Sequence, residues 1–160
     1  MKSVTRKLVV LPVCIFFVVL VQAQQSTPYH FAHLDFNQGL SNNQINCIFK
    51  GTKGFMWFGT MSGLNRFDGY TIRSFRHSIQ DTSSLIDDYI SKIVAGPFNQ
   101  LWIETRLGFN IYDPATEKFE RAAPKYLQKL GMPGYDLTDI VPLDKGFLFV
   151  YRDQGIFYFE

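Results

Sequence analysis

The sequence predicts an all-β protein: a β-propeller of four-stranded antiparallel blades, each about 45 residues long, in an incomplete ring. Three observations lead to this prediction. Aromatic residues make up 16% of the chain and charged residues only 19%. Short apolar runs alternate with turn residues, which is typical of small strands. One segment also recurs with a spacing of 45 residues.

The composition is that of an ordinary globular protein. With 160 residues the chain has the length of one domain, and its 46% hydrophobic content is too high for a disordered segment. Low charge and abundant aromatic residues do not suit a long solvated helix or a coiled coil.

The amino terminus has the three parts of a secretory signal peptide. Basic residues lie before Leu8, residues 8–21 are apolar, and small residues lead up to Ala23. We therefore predict a signal peptide over residues 1–23, cleaved between Ala23 and Gln24. The competing interpretation is a membrane anchor, but the apolar run is shorter than the roughly 18 residues that such an anchor needs.

Removal of this segment leaves 13 basic and 14 acidic residues. The remaining chain has no basic stripe of the kind that binds phosphate backbones, so we expect no nucleic-acid partner in this region.

Cys47 is the one cysteine left after removal of the signal peptide. It can form no disulfide within the chain, and its apolar neighbours indicate a small buried residue.

The internal repeat is clearest where the two tryptophans are aligned. Four pairs of identical residues then lie 45 positions apart: Trp57 and Trp102, Gly63 and Gly108, Asn65 and Asn110, and Asp68 and Asp113. A third, looser copy follows at an offset of 47 and places Phe149 at the tryptophan position and Gly155 at the glycine position. We expect these tryptophans, Phe149 and the three glycines to be the structural core of the repeat.

Within one copy, the turn signals divide the chain into four strands, at residues 45–50, 55–60, 64–67 and 70–75. The second strand is apolar on both faces, so its sheet must lie between two neighbours. This favours a propeller over a β-sandwich, which lacks so strict a period. It also favours core packing for Trp57 and Trp102 over a sugar-stacking platform.

The repeat defines the expected domain organisation. Residues 24–38 contain a segment, 29–34, that resembles the fourth strand of a blade, and we predict a strand that closes the ring. Blade 1 covers 39–84, blade 2 covers 85–131 and ends in a short helix near 124–131, and 132–160 is a partial blade 3 that lacks its outer strand. Because propellers have about four to eight blades, we expect the chain to be part of a longer protein.

Catalytic motifs are absent from the sequence: it has no nucleophile elbow, phosphate-binding loop or zinc-protease motif. His30 and His33 would lie on opposite faces of a strand and so could not chelate one metal, and His77 stands alone. Asp87 and Asp88 could in principle perform acid–base chemistry. They occupy the place of Asn42 and Asn43 in blade 1, however, which favours a role in turns. We expect no catalytic residue, metal or cofactor.

Three segments of blade 1 resemble a known family. They are residues 39–45 (Gly-Leu-Ser-Asn-Asn-Gln-Ile), 54–60 (Gly-Phe-Met-Trp-Phe-Gly-Thr) and 63–70 (Gly-Leu-Asn-Arg-Phe-Asp-Gly-Tyr). Together they resemble the two-component regulator propeller repeat. Blade 2 departs from the pattern at Glu104, where a glycine is expected, and blade 3 has Phe149 in place of the tryptophan.

The resemblance implies a function as well as a fold. It implies part of the periplasmic sensor of a Bacteroidetes hybrid two-component system, whose membrane-anchored and homodimeric parent contains a histidine kinase. The expected partners are an oligosaccharide ligand and the remaining blades of the same propeller. Loop position alone nominates Asn42, Asn43, Asp87 and Asp88 as ligand-binding candidates. The alternatives are a periplasmic propeller enzyme acting on glycans and a propeller that serves as a protein-interaction scaffold.

Overall fold

Short antiparallel strands dominate the computed structural model, which describes residues 31–160. The predicted signal peptide and its cleavage point between Ala23 and Gln24 lie outside the described residues. One compact unit extends from Leu34 to Glu160. Within the described part of the chain, no helix has the length and apolar character needed to cross a membrane.

The strands belong to three consecutive sheets. Sheet 1 contains β1 to β4, sheet 2 contains β5 to β8, and sheet 3 contains β9 to β11. Their bounds are β1 Ile45–Lys50, β2 Met56–Thr60, β3 Gly63–Phe67, β4 Ile72–Phe75, β5 Ile90–Ala95, β6 Leu101–Thr105, β7 Gly108–Asp113, β8 Lys118–Glu120, β9 Leu137–Pro142, β10 Phe147–Tyr151 and β11 Gly155–Phe159. The helix α1, Ala123–Lys129, follows sheet 2, and short 3-10 turns cover Phe36–Gln38 and Pro97–Asn99.

Every sheet is an antiparallel meander in which each strand pairs with the next one along the chain. This confirms the predicted four-stranded sheets and the three-stranded third sheet. The third strand of each sheet begins at a repeated glycine. Gly63, Gly108 and Gly155 have φ angles of 135°, 112° and 82°, in the region that residues with a Cβ rarely adopt.

The first strands of the three sheets lie next to one another, at the inner edge of the arrangement. The side-chain amide of Asn46 on β1 donates a hydrogen bond to the carbonyl of Ile90 on β5 (2.9 Å). Lys92 on β5 forms an ion pair with Asp139 on β9. The sheets are therefore joined side by side at their first strands, as blades are around an axis.

Apolar side chains fill both spaces between the sheets. Trp57 of sheet 1 meets the ring of Tyr112 in sheet 2 at a centroid distance of 5.0 Å. One sheet further on, Trp102 meets Phe149 of sheet 3 at 5.6 Å. Trp57 is 2% exposed and Trp102 and Phe149 are fully buried. Each tryptophan thus packs against the next sheet, which is the arrangement that the two-sided apolar strand predicts.

The predicted position of Phe149 within the repeat is wrong. Strand pairing places Tyr151 opposite Gly155, as Thr105 stands opposite Gly108. Counting back from these pairs, Phe149 occupies the position in sheet 3 that Ile103 occupies in sheet 2. Leu148 occupies the position of Trp102. The reason is that sheet 3 has one residue fewer in its first hairpin and one more in its second. Phe149 remains a core residue, but on the face that looks back toward sheet 2.

The strand predicted within residues 24–38 does not occur in the described part of that segment. Residues 31–35 have no regular structure, and Asp35 caps the 3-10 turn Phe36–Gln38. A strand needs a hydrogen-bonded neighbour, and none of the described strands pairs with this segment. Residues 24–30 lie outside the described residues.

Candidate functional site

The inter-sheet loops and the second hairpin turns lie together at one end of the sheets. We call this end the loop face and define it by residues 42–44, 61–62, 86–89, 106–107 and 135–136. In sheet 1 the side-chain amide of Asn42 donates to the Ser62 hydroxyl (3.1 Å). In sheet 3 the amide of Arg152 donates to the carbonyl of Asp136 (3.0 Å). Each loop is therefore held by the hairpin turn of its own sheet.

Asn42 and Asn43 both use their side chains to fix the local backbone. The side-chain oxygen of Asn42 accepts a hydrogen bond from the amide of Gln44 (2.7 Å). That of Asn43 accepts one from the amide of Phe36 (2.7 Å), seven residues earlier. The first contact is an Asx turn and the second ties down the chain that enters sheet 1.

Asp87 and Asp88 occupy the same place before sheet 2. Both carboxylate oxygens of Asp87 accept hydrogen bonds from the guanidinium of Arg106, each at 2.9 Å. These bonds hold the pKa of Asp87 below its usual range. Asp88 accepts a hydrogen bond from the amide of His77 (2.5 Å). A general acid needs a raised pKa, so the bonding of Asp87 argues against a role as a general acid.

The loop face also carries groups suited to recognition. The Arg106 guanidinium lies over the ring of Tyr89, 5.3 Å from its centroid, while it holds Asp87. The result is an aromatic ring, a cation and a carboxylate in one fixed group beside the first strand of sheet 2. Such a group can present hydrogen-bond partners to a polar ligand, with Tyr89 as an aromatic neighbour.

Two buried asparagines fix the position of the inter-sheet loops. The side-chain oxygen of Asn65 on β3 accepts from the amide of Ser41 (2.9 Å), and that of Asn110 on β7 accepts from the amide of Ile86 (3.0 Å). Both asparagines are fully buried. The sequence repeat contains both residues, but their role as loop anchors becomes visible only when the segments preceding β1 and β5 are seen beside β3 and β7.

A pocket opens between sheets 2 and 3, and the sequence did not indicate it. We call it the sheet 2–3 pocket. It has a volume of about 280 Å³. Its lining comes from the loops before β5 and β9, the turn before β7, and the start of α1: Ile86, Leu107, Gly108, Phe109, Arg121, Ala123, Pro124, Leu127, Gly134, Tyr135, Asp136 and Leu137. These residues are scattered over more than fifty positions, so no local motif could reveal them.

The histidines and Cys47 do not form a metal or redox site among the described residues. Among residues 31–160, no three histidine, cysteine or acidic side chains come together as a metal site would require. His77 bonds the carbonyl of Leu85 through Nδ1 (2.7 Å), and His30 lies outside the described residues. Burial raises the pKa of the Cys47 thiol, which lowers its reactivity near neutral pH.

Comparison with known proteins identifies the repeat. Residues 39–62 match the model of the two component regulator propeller family. Over 70 residues, or 44% of this chain, the sequence is 33% identical to histidine kinase P4 of Formosa agariphila. The resemblance inferred from the motifs is thus confirmed.

Solved structures resemble the chain over most of its length. One is the extracellular domain of a protein described as a hybrid two component system from B. thetaiotaomicron, at 32% identity over 82% of this chain with a TM-score of 0.60. A second extracellular domain of the same description and organism gives 25% identity over 83% and a TM-score of 0.53. The propeller fold class is confirmed by these relatives. This chain spans 19% of each of those structures and 5% of the histidine kinase.

Proposed function

We propose that this chain, which carries a two-component regulator propeller repeat, forms blades of the periplasmic ligand-sensing propeller of a hybrid two-component sensor. One observation carries the proposal: the match to the extracellular domain of a hybrid two component system at 32% identity and a TM-score of 0.60. In this proposal the chain binds a ligand, and the signalling output belongs to other parts of the protein.

The ligand that we propose is an oligosaccharide, bound at the loop face. The residues there support this assignment, because sugars are recognised by fixed hydrogen-bonding groups and by aromatic faces. Arg106 and Asp87 are held by each other, and Tyr89 lies against Arg106. In the proposed sensor, the remaining blades of the same propeller complete the binding surface and the parent protein is a membrane-anchored homodimer.

The bonding of the acidic residues favours this role over the alternative of a glycan-cleaving propeller enzyme. Glycosidases need one carboxylic acid with a raised pKa beside a second carboxylate. Asp87 is instead held ionised by Arg106, and Asp88 is bonded to the amide of His77. No observation specifically favours the interaction scaffold.

Calorimetric titration of the protein with short neutral and acidic oligosaccharides tests the proposal. We expect one class of oligosaccharide to bind, and Tyr89→Ala and Arg106→Ala to weaken that binding, because these two side chains form the aromatic and cationic parts of the proposed site. Tyr70→Ala is the matched control, because Tyr70 is 94% exposed and lies in the turn at the opposite end of sheet 1.

Two results would count against the proposal in different ways. Absence of binding by every oligosaccharide class would remove the ligand assignment. Binding that is equal in the wild type and in both loop-face variants would leave an oligosaccharide sensor but would move its site away from these loops.

A further inference from the structure

Two large side chains stand exposed at the mouth of the sheet 2–3 pocket. Leu107 is 68% exposed and Tyr135 is 69% exposed. They come from different sheets, since Leu107 lies in the turn between β6 and β7 and Tyr135 lies in the loop before β9. Exposed apolar groups that meet around a concave surface are typical of binding sites.

Buried apolar residues form the floor of the pocket. Phe109 is 8% exposed, Ala123 3% and Leu127 1%. At about 280 Å³ the pocket is just below the roughly 300–1,000 Å³ of drug-sized ligand sites. It is therefore suited to one ring-sized group rather than to a long chain, and its floor favours a group that ends in a methyl.

Arg121 and Asp136 are the two charged residues of the pocket lining. Within the described residues, no hydrogen bond or ion pair engages the carboxylate of Asp136 or the hydroxyl of Tyr135. Arg121 also lines the pocket, but its Nε and Nη2 donate to the carbonyls of Ser84 (2.8 Å) and Asp81 (2.7 Å) and so hold the preceding loop in place. The pocket thus offers an acceptor and an aromatic ring at its mouth and apolar contact below.

We propose that the sheet 2–3 pocket binds the terminal sugar residue of the ligand through a methyl-bearing substituent, either an N-acetyl group or the methyl of a 6-deoxy sugar. The proposal rests on the function proposed above and names the part of the ligand that enters the pocket. The methyl group contacts Phe109 and Leu127, the apolar face of the sugar ring lies against Tyr135, and a sugar hydroxyl donates to Asp136. Sugars without a methyl group leave the floor uncovered and bind more weakly.

Saturation-transfer NMR with single sugars tests the pocket without the rest of the ligand. The probes are N-acetyl-D-glucosamine, L-fucose and D-glucose, each mixed with the protein at the same concentration. We expect the strongest saturation at the methyl group of N-acetyl-D-glucosamine or L-fucose, and the comparison of the two shows which source of the methyl group is preferred. D-glucose should give about fivefold less, which corresponds to the loss of one small apolar contact.

Variants at the mouth of the pocket assign the signal to this place. Tyr135→Ala and Leu107→Ala should each reduce the methyl signal by about threefold or more. Because both side chains are largely exposed, these variants should fold like the wild type. Tyr70→Ala and Ile79→Ala are matched controls, with 94% and 88% exposure elsewhere on the surface, and should leave the signal unchanged.

The outcomes separate this inference from the proposed function. Equal saturation of D-glucose and the two methyl sugars, or a methyl signal that survives Tyr135→Ala and Leu107→Ala, would overturn the pocket assignment even if oligosaccharides bind the protein. Absence of saturation for all three sugars would overturn it as well. Absence of binding by every oligosaccharide in the calorimetric titration would overturn the proposed function itself.

Discussion

Sheets 2 and 3 place different residue pairs at the same point of the first hairpin. In sheet 2, Trp102 lies directly on Gly96: a Cβ added to this glycine would be 2.0 Å from Cδ1 of the indole. In sheet 3, the position of Trp102 is taken by Leu148. The position of Gly96 is taken by Leu143, whose amide starts the hairpin with a 3.0 Å bond to the carbonyl of Gly146.

Sheet 1 shows that the pairing is systematic. There a Cβ on Gly51 would be 3.0 Å from Nε1 of Trp57. In sheets 1 and 2, a tryptophan on the second strand is therefore paired with a glycine at the start of the first hairpin. In sheet 3, both of these positions hold a leucine. The comparison teaches that the large ring and the missing Cβ are one packing unit, because the ring occupies the volume that a side chain in the hairpin would need.

Truncation of the ring should give the largest effect. Trp102→Ala removes a fully buried indole that contacts Phe109, Tyr126 and Phe149. We expect the free energy of unfolding to fall by about 4 kcal/mol, the usual range for a large aromatic residue in a core. Urea denaturation followed by circular dichroism measures this change.

Leu148→Ala is the matched truncation in sheet 3. Leu148 is only half-buried, so its loss should cost about 1 kcal/mol. Equal costs for the two truncations would contradict the view that the indole has a special place in sheet 2.

Adding a methyl group to the hairpin glycine should have the next largest effect. Gly96→Ala should lower the free energy of unfolding by about 3 kcal/mol, and Gly51→Ala by about 1 kcal/mol, because the added carbon meets the indole much more closely in sheet 2. The φ angle of Gly96 is −130°, which alanine adopts freely, so the cost is steric. Urea denaturation of both variants checks the order.

A double variant sharpens the same comparison. In Trp102→Leu with Gly96→Ala, the smaller side chain should accept the new methyl group, as the leucine pair does in sheet 3. We expect the cost of Gly96→Ala to be smaller in the Trp102→Leu background than in the wild type. Additive costs would show that the ring and the glycine are independent.

The turn signals predicted the strands of sheet 1 to within two residues, because glycine and aspartate mark its hairpins clearly. The sequence repeat misplaced Phe149 for a physical reason. Phe149 and Leu148 are both apolar, so residue type cannot tell which of them takes the tryptophan position. The number of residues in each hairpin decides the register, and a shift of one residue exchanges the two faces of the strand.

The candidate site was less predictable than the fold. The sequence placed Asn42, Asn43, Asp87 and Asp88 in loops, and the structure shows what their side chains bind. It could not indicate the sheet 2–3 pocket, because Leu107 and Tyr135 come together only when two sheets pack. Local patterns report on hairpins, and sites formed between sheets depend on contacts that are distant in sequence.

A third difference between the sheets is that sheet 3 has a buried, titratable tyrosine where sheet 2 has a threonine. Tyr151 of sheet 3 is level with Thr105 of sheet 2. It is 3% exposed and donates its hydroxyl to the carbonyl of Pro133 (2.8 Å). Burial raises the pKa of Tyr151 to about 12, whereas the pKa of a tyrosine in the unfolded chain is about 10. The folded protein therefore keeps this proton more firmly than the unfolded chain does.

The sign of the resulting pH dependence follows from linkage. The contribution of Tyr151 to stability is fully present below pH 10 and is lost as the pH rises from about 10 to about 12. Tyr151→Phe removes this dependence. At pH 8 it should cost about 1 kcal/mol, because the carbonyl of Pro133 loses its partner. Between pH 10 and 12 the wild type should then lose stability more steeply than the variant. Because a rise in pKa from about 10 to about 12 is worth about 2.7 kcal/mol, the difference between the two proteins should narrow and then change sign.

Urea denaturation of both proteins from pH 8 to pH 12 measures this narrowing. Burial also raises the pKa values of Tyr112 and Tyr126, but both residues are present in the two proteins and their contributions cancel in the difference. Tyr158→Phe is the control, because it also removes a hydroxyl that donates to a backbone carbonyl. Tyr158 donates to the carbonyl of Lys145 (2.8 Å) but is 54% exposed. A difference between wild type and Tyr151→Phe that stays constant over this range would show that the Tyr151 hydroxyl reaches water and that its pKa is not raised by burial.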